Sequence, residues 1–253
     1  MDQSQDNQNA QEMITLLFSG GIDSTRTACE LAGQYDKVHL LSYWNGFGHY
    51  KLGRTQTRAA EVSRHYPGKF THSLISIKDM FEPLLMRGIE EDYPKIKSGF
   101  VWCLSCKLAM HARTVAYNLQ HGVGAVADGS SGSTDEMVEQ SPFSIKRFRE
   151  FYAKYGIDFF TPVYDKTREE SIRKLREAGF KMGFPIGDRF LGIQPKCRPG
   201  ELYYLPYLLL GIEPDHDRQA VLDFIESRME YLQKWIADYC AANSVALPKG
   251  ASA

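Results

Sequence analysis

The chain has 253 residues, with 30 Lys plus Arg against 31 Asp plus Glu and 43% hydrophobic residues. That length holds one large domain with an appendage and a core that needs no cross-links, and a net charge of -1 excludes a dedicated, strongly basic nucleic-acid binder. Five cysteines, an odd and sparse set, exclude a disulfide framework of the secreted kind. No apolar run reaches the ~18 residues of a membrane helix. The start lacks the basic and apolar regions of a signal peptide, so a cytoplasmic protein without a membrane partner is expected.

Residues 1–11 are polar and read as a disordered leader. Residues 13–18 (MITLLF) form a continuous apolar run stopped by Ser19, Gly20 and Gly21, as in a buried parallel strand. A helix over 24–35 with Ala28, Leu31 and Ala32 on one face and a strand over 37–43 complete a βαβ unit. The cycle repeats with a helix over 54–66, a strand over 70–77, helices over 78–86 and 104–120, and a strand over 124–128. A last core strand follows at 158–161, and TREESIRKLREA at 167–178 is an amphipathic helix closed by Gly179. Strands alternating with helices predict an α/β fold, an open, mostly parallel twisted sheet with helices on both faces.

Residues 181–211 are rich in glycine and proline with little period, whereas 215–242 resumes as a long helix with Val221, Leu222, Ile225, Met229, Leu232, Ile236 and Tyr239 near helical spacing. The expected organisation is a catalytic domain over 12–200, a helical C-terminal extension over 201–243 and a flexible tail over 244–253. The extension is expected to pack on the same domain or to make a homo-oligomer; Tyr203, Tyr204 and Tyr207 with the leucines at 208–210 suit packing or a subunit contact.

The most informative segment is LFSGGIDS at 17–24, a strand, a glycine turn and a helix start. In an open α/β sheet this puts the loop at the carboxyl end of the first strand, where ligands bind. Gly20 and Gly21 let backbone amides approach an anion. Ser19, Ser24 and Thr25 add hydroxyls, and the helix start adds unpaired N-H groups and the positive end of its dipole. The segment is built for phosphate or pyrophosphate, although Asp23 or Ser24 could equally cap the helix. It has neither the spacing of the GxxxxGK[ST] loop nor that of GxGxxG.

Cys103 and Cys106 form a CxxC at a helix start, where both sulfurs face one side and the dipole favours thiolates. Cys197, in QPKCRPG, is a third candidate, while Cys29 and Cys240 lie in helical patterns and read as packing. Three cysteines without a fourth ligand suit a cubane cluster with one open iron, or a sulfur relay, better than closed structural zinc. His49, Lys51, Arg54, Arg58 and Arg64 form a basic set that reads mainly as a solvated helix face, or as a grip for phosphate or carboxylate.

SGGIDS resembles the pyrophosphatase loop (PP-loop) of the ATP pyrophosphatase superfamily. CLSCK followed by VADGSSGSTDE is similar to the CxxCK and DGTNxxD blocks of the sacrificial sulfur transferases that build the nickel-pincer cofactor. TPVYDKTREESIRKLREAGF resembles that family's next block, and KCRPG falls where it carries its sulfur-bearing cysteine. The three cysteines also resemble the 4Fe-4S site of tRNA 2-thiolation enzymes. The resemblance covers about residues 14–200; Arg168 replaces a usual lysine, Ser131 replaces an asparagine, and the fingers flanking tRNA-thiolating members are absent.

The resemblance implies an ATP-dependent sulfur transferase. ATP with Mg²⁺ would meet Ser19, Gly20, Gly21, Asp23 and Ser24, and Asp128 and Gly129 would line the nucleotide or metal side, with Asp135 as a magnesium candidate. Ser42 and Tyr43, ending the second strand, are placed to meet adenosine through backbone groups. Cys103, Cys106 and Cys197 would hold a 4Fe-4S cluster and handle sulfur from a donor. The charge balance favours a small-molecule acceptor over tRNA. Two alternatives stand beside this: a PP-loop enzyme forming an amide or nitrile with zinc-bound cysteines, and a nucleotide-binding sensor without turnover.

Overall fold

The computed structural model describes residues 11–86, 88–96, 98–134, 137–182, 195–212, 217–248 and 250–251. The first apolar run becomes β1 (Gln11–Leu17), and because both of its faces are apolar it takes the centre of a five-stranded sheet. The chain passes from β1 through α1 (Ile22–Ala32) to β2 (Tyr35–Trp44), then through a short β3 (His49–Tyr50) and α2 (Gly53–His65) to β4 (Phe70–Ser76). It returns by α3 (Lys78–Phe81), one π-helical turn over Glu82–Met86, α4 (Ile89–Ile96) and the long α5 (Phe100–His121) to β5 (Ala125–Asp128). α6 (Pro142–Ala153) leads to β6 (Asp158–Phe160). The order is β4-β2-β1-β5-β6, with every pairing parallel. Since connections leave β1 on one side and come back to its other side at β5, the topological switch lies between these two strands, where such sheets bind ligands.

Alternation along the strands separates two cores. Ile14 and Leu16 of β1 with Val38 and Leu40 of β2 pack against Ile22, Ala28, Leu31, Val62 and Leu175, while Leu17, Leu41 and Tyr43 pack on the other face against α5 and the C-terminal helix. Leu175 belongs to α7 (Arg168–Glu177), whose start is set by a reciprocal capping box between Thr167 and Glu170. α5 is fixed beneath the sheet by Asn118, which accepts from Thr15 Oγ1 at 2.8 Å and donates to the Ala125 carbonyl at 3.2 Å.

Two expectations change. The aperiodic stretch contains β7 (Lys196–Cys197), paired antiparallel with β3, and α8 (Arg198–Leu210), so the boundary expected at residue 200 falls inside a helix. α8 escapes periodicity because its leucines do not share a buried face: Leu202, Leu209 and Leu210 are exposed while Tyr204 is buried. α9 (Arg218–Ala242) packs on the same domain, one of the two expected arrangements, with Val221, Phe224, Ile225, Leu232 and Ile236 completing the α5 core. The tail expected to be flexible packs Val245, Leu247 and Ala251 on that core, because its small apolar residues meet an apolar surface that α9 leaves open. The leader's residues 1–10 lie outside the described residues. No helix among the described residues is long and apolar enough to cross a membrane.

Candidate active site

At the end of β1 the chain turns through Gly20, whose φ of +75° is left-handed and suits glycine. A Cβ there would also stand 3.2 Å from Arg58 Cβ. Gly21 is the N-cap of α1 and supplies no side-chain cap, so the helix opens toward the loop with its dipole end uncapped. Ser19 Oγ accepts from the Gly21 amide at 3.2 Å and lies 3.1 Å from Ser24 Oγ, which donates to the Gly21 carbonyl at 3.3 Å. Neither Asp23 nor Ser24 is the cap. Asp23 places Oδ2 3.9 Å from Arg168 Nη1, while its buried Oδ1 has no hydrogen-bond partner among the described residues. Burial holds this carboxyl above its ordinary value and Arg168 only partly offsets that.

The end of β5 lies against this loop. A Cβ on Gly129 would stand 2.7 Å from both the backbone N and Cα of Ser24, so the approach of the two segments requires glycine. Gly129→Ala must push the loop from β5, at a cost of about 1–3 kcal/mol. The expected result is an ATP affinity reduced about tenfold or more with the fold retained, read by calorimetric titration. Asp128 is fully buried, pairs with Lys107 Nζ and accepts from the Ser130 amide at 2.5 Å. Burial alone would raise its pKa, but Lys107 and His111 outweigh this and hold the carboxyl below its ordinary value.

Lys107 follows Cys106 in the chain and thereby ties the phosphate loop to the cysteines. Cys103 and Cys106 occupy the first two turns of α5, and Cys197 is the N-cap of α8. A point at the Cβ position of Gly200 lies 3.5 Å from Cys103 Sγ and 4.0 Å from Cys197 Sγ. Cys106 and Cys197 act on one another electrostatically. The structure therefore brings Cys197 beside Cys103, one α-helical turn from Cys106. It differs from the expectation of helix-activated thiolates: burial pushes all three thiols up, Glu139 pushes the same way, and neighbouring sulfur adds to this for Cys103 and Cys106. Buried thiols held neutral are a donor set that a metal centre would deprotonate by supplying positive charge, so their chemistry fits a thiolate-ligated cluster. Among the described residues no three His, Cys, Asp or Glu side chains are grouped to hold a single metal ion. Cys29, half-buried with a thiol pushed up to about 11 by burial, and the fully buried Cys240 are packing residues, as expected.

Sequence reasoning placed His49 only in the basic set and missed several other neighbours of the cysteines. His49 pairs with Cys197 across β3 and β7 and puts Nε2 3.8 Å from Cys106 Sγ; burial lowers its pKa to about 4, so it is neutral at pH 7. Asn45 donates to Cys106 Sγ at 3.6 Å. Glu139, held by Tyr204 of α8 at 3.2 Å, has its pKa raised by burial and acts on all three thiols. Tyr50 and Lys196 both bind Glu201 at 2.7 Å, which clasps β3 to the start of α8 beside Cys197. Only Lys107 had a local signal, the lysine after CxxC.

Arg58 corrects the reading of the basic set as a solvated face. It is buried against Gly20 and paired with Glu61, whereas Arg54 and Arg64 are exposed. Ser42 spends its hydroxyl on the Phe18 carbonyl at 2.6 Å and on His72 at 2.9 Å, and Tyr43 turns its hydroxyl to Thr114 at 2.8 Å inside the core. Both lie within β2, where they pair with Leu74 and Ile75 of β4. Asp135 lies outside the described residues.

No family model and no curated protein matches the chain. Among solved structures it is similar to a 4-thiouridine synthetase in complex with RNA and bound ATP, at TM-score 0.58 and 12% identity over 91% of this chain and 54% of that one. It is also similar to the U34-tRNA thiolase NcsA from Methanococcus maripaludis with its 4Fe-4S cluster, at TM-score 0.44 and 14% identity over 94% and 83% of the two chains. A third similarity is to a predicted subunit of tRNA methyltransferase from Methanocaldococcus jannaschii, at TM-score 0.43 and 18% identity over 66% and 76%. The chain spans about half the length of the synthetase, and that likeness shows the fold, an open α/β sheet with helices around it.

Proposed function

We propose that the protein is an ATP-dependent sulfur transferase that adenylylates a small-molecule acceptor, releases pyrophosphate, and then replaces the adenylate by sulfur. The observation that carries this is the joining of phosphate loop and thiols through adjacent residues: Gly129 against Ser24, Asp128 paired with Lys107, and Lys107 next to Cys106. A nucleotide sensor has no use for three gathered cysteines beside its phosphate site. The fold shared with an ATP-binding thiouridine synthetase supports the same reading.

In this reading the amides of Gly20 and Gly21 and the uncapped start of α1 hold the β- and γ-phosphates of Mg²⁺-ATP. An acceptor oxygen attacks the α-phosphorus, and the bond to pyrophosphate breaks. Arg168, beside Asp23, adds positive charge at the loop mouth. Lys107 keeps Asp128 ionised between the phosphate and sulfur halves of the site. Sulfur from a donor then attacks the adenylated carbon, and AMP leaves with the acceptor oxygen. Cys103, Cys106 and Cys197 would hold a 4Fe-4S cluster, which supplies Lewis-acidic iron with one coordination position outside the three thiolates. The acceptor is taken as a small molecule because the charge balance offers no broad basic surface for a phosphate backbone.

The test is anaerobic purification with iron and labile-sulfide analysis, followed by incubation with Mg²⁺-ATP, sulfide and fractionated small-molecule extract. Four irons and four sulfides per chain, and AMP and pyrophosphate formed in equal amounts only with an acceptor fraction, are expected. One zinc per chain would favour the amide-forming alternative, and AMP formed only with added tRNA would overturn the acceptor class.

A further inference from the structure

Asn45 follows β2 directly and is fully buried. Its Oδ1 accepts from the amides of Phe47 and Gly48, both at 3.1 Å, in a turn that Gly46 makes possible with φ +80°. With the oxygen so engaged, the NH₂ end faces Cys106 Sγ at 3.6 Å. The opposite orientation would set oxygen against sulfur and NH₂ against two N-H groups, so the network assigns the amide in one sense only. The same turn brings His49 to Cys106 and sets it opposite Cys197. Cys197 lies outside this network, at the N-cap of α8.

We propose that Asn45 is a positioning residue whose Nδ2-H donates to the Cys106 sulfur, draws electron density from it, and so raises the reduction potential of a metal centre ligated there. Hydrogen bonds to ligand sulfurs are among the protein's means of setting cluster potentials. The statement about potential rests on the cluster proposed above, whereas the hydrogen bond to sulfur does not.

Two measurements separate these. In the metal-free, reduced protein the side-chain amide resonances of Asn45 are expected to shift in Cys106→Ala, with partial recovery in Cys106→Ser. The backbone amides of Phe47 and Gly48, in the same spectra, should hold their positions. Unmoved Asn45 resonances would overturn the hydrogen bond, and movement of all three groups together would mean that the turn has merely loosened. In the cluster-loaded protein, Asn45→Asp keeps the acceptor oxygen for Phe47 and Gly48 but removes the donor. Its midpoint in an EPR-monitored redox titration should shift negative of wild type at unchanged iron and sulfide content, and an unchanged midpoint would overturn the tuning role. Wild type that takes up no iron would sink the cluster and the tuning with it, and leave the amide resonances to decide the contact.

Discussion

Replacing Lys107 by methionine is expected to cost about 3–5 kcal/mol of stability at neutral pH, because it strands the fully buried Asp128 carboxylate without its cation. For a chain of this length that lowers the melting temperature by about 2–4 °C per kcal/mol. The pH dependence follows from the direction of the shifts. In the native protein the Asp128 pKa is lowered, so its contribution is present above the ordinary carboxylate range and is lost as pH falls through the folded value. In Lys107→Met burial dominates and the folded value rises above the ordinary range. The penalty is then full at neutral pH and fades as acid neutralises the carboxyl. Calorimetry at pH 7 and near pH 4.5 checks this, and Lys107→Met with Asp128→Asn should recover most of the loss. A single variant as stable as wild type at pH 7 would show that the pair is solvated.

Removing Cys197 is expected to separate the two halves of the reaction. Cys197→Ala should form AMP and pyrophosphate from ATP and acceptor within about threefold of wild type, since the residue touches no part of the phosphate loop. Transfer of sulfur should fall at least ~10³-fold, the scale on which loss of one member of a concerted catalytic set is felt. Cys103→Ala should behave alike. Cys29→Ala, on α1, is the control and should leave both half-reactions intact, because its side chain packs on the opposite core. Parallel assays of pyrophosphate release and of ³⁵S incorporation read the outcome. Sulfur transfer retained in Cys197→Ala would remove the three-cysteine site.

The core strands and the glycine turn after β1 were legible because both are local. Continuous apolar runs announce strands buried on two faces, and SGGIDS carries its glycines, hydroxyls and helix start within a few residues. Two of the missed elements were legible in principle: Ser141-Pro142 caps and opens α6, and the apolar residues of 198–210 form a helix that lacks a single buried face. β3 and β7 were not, since two residues form a strand only when a partner is placed beside them.

By itself the sequence determined an α/β chain with a glycine turn and a helix start after its first strand, and three cysteines set apart from two packing ones. Only the tertiary structure decided that Cys197 stands beside Cys103, that Arg58 is buried beneath Gly20, and that Asn45 and His49 face Cys106. It also reversed the sign of the thiol shifts, from the thiolates that a helix start favours to buried neutral thiols. The reason is that desolvation depends on how many distant segments close over a group, here β3, the turn carrying Glu139, α5 and α8, whereas a helix dipole is set by the few residues around it.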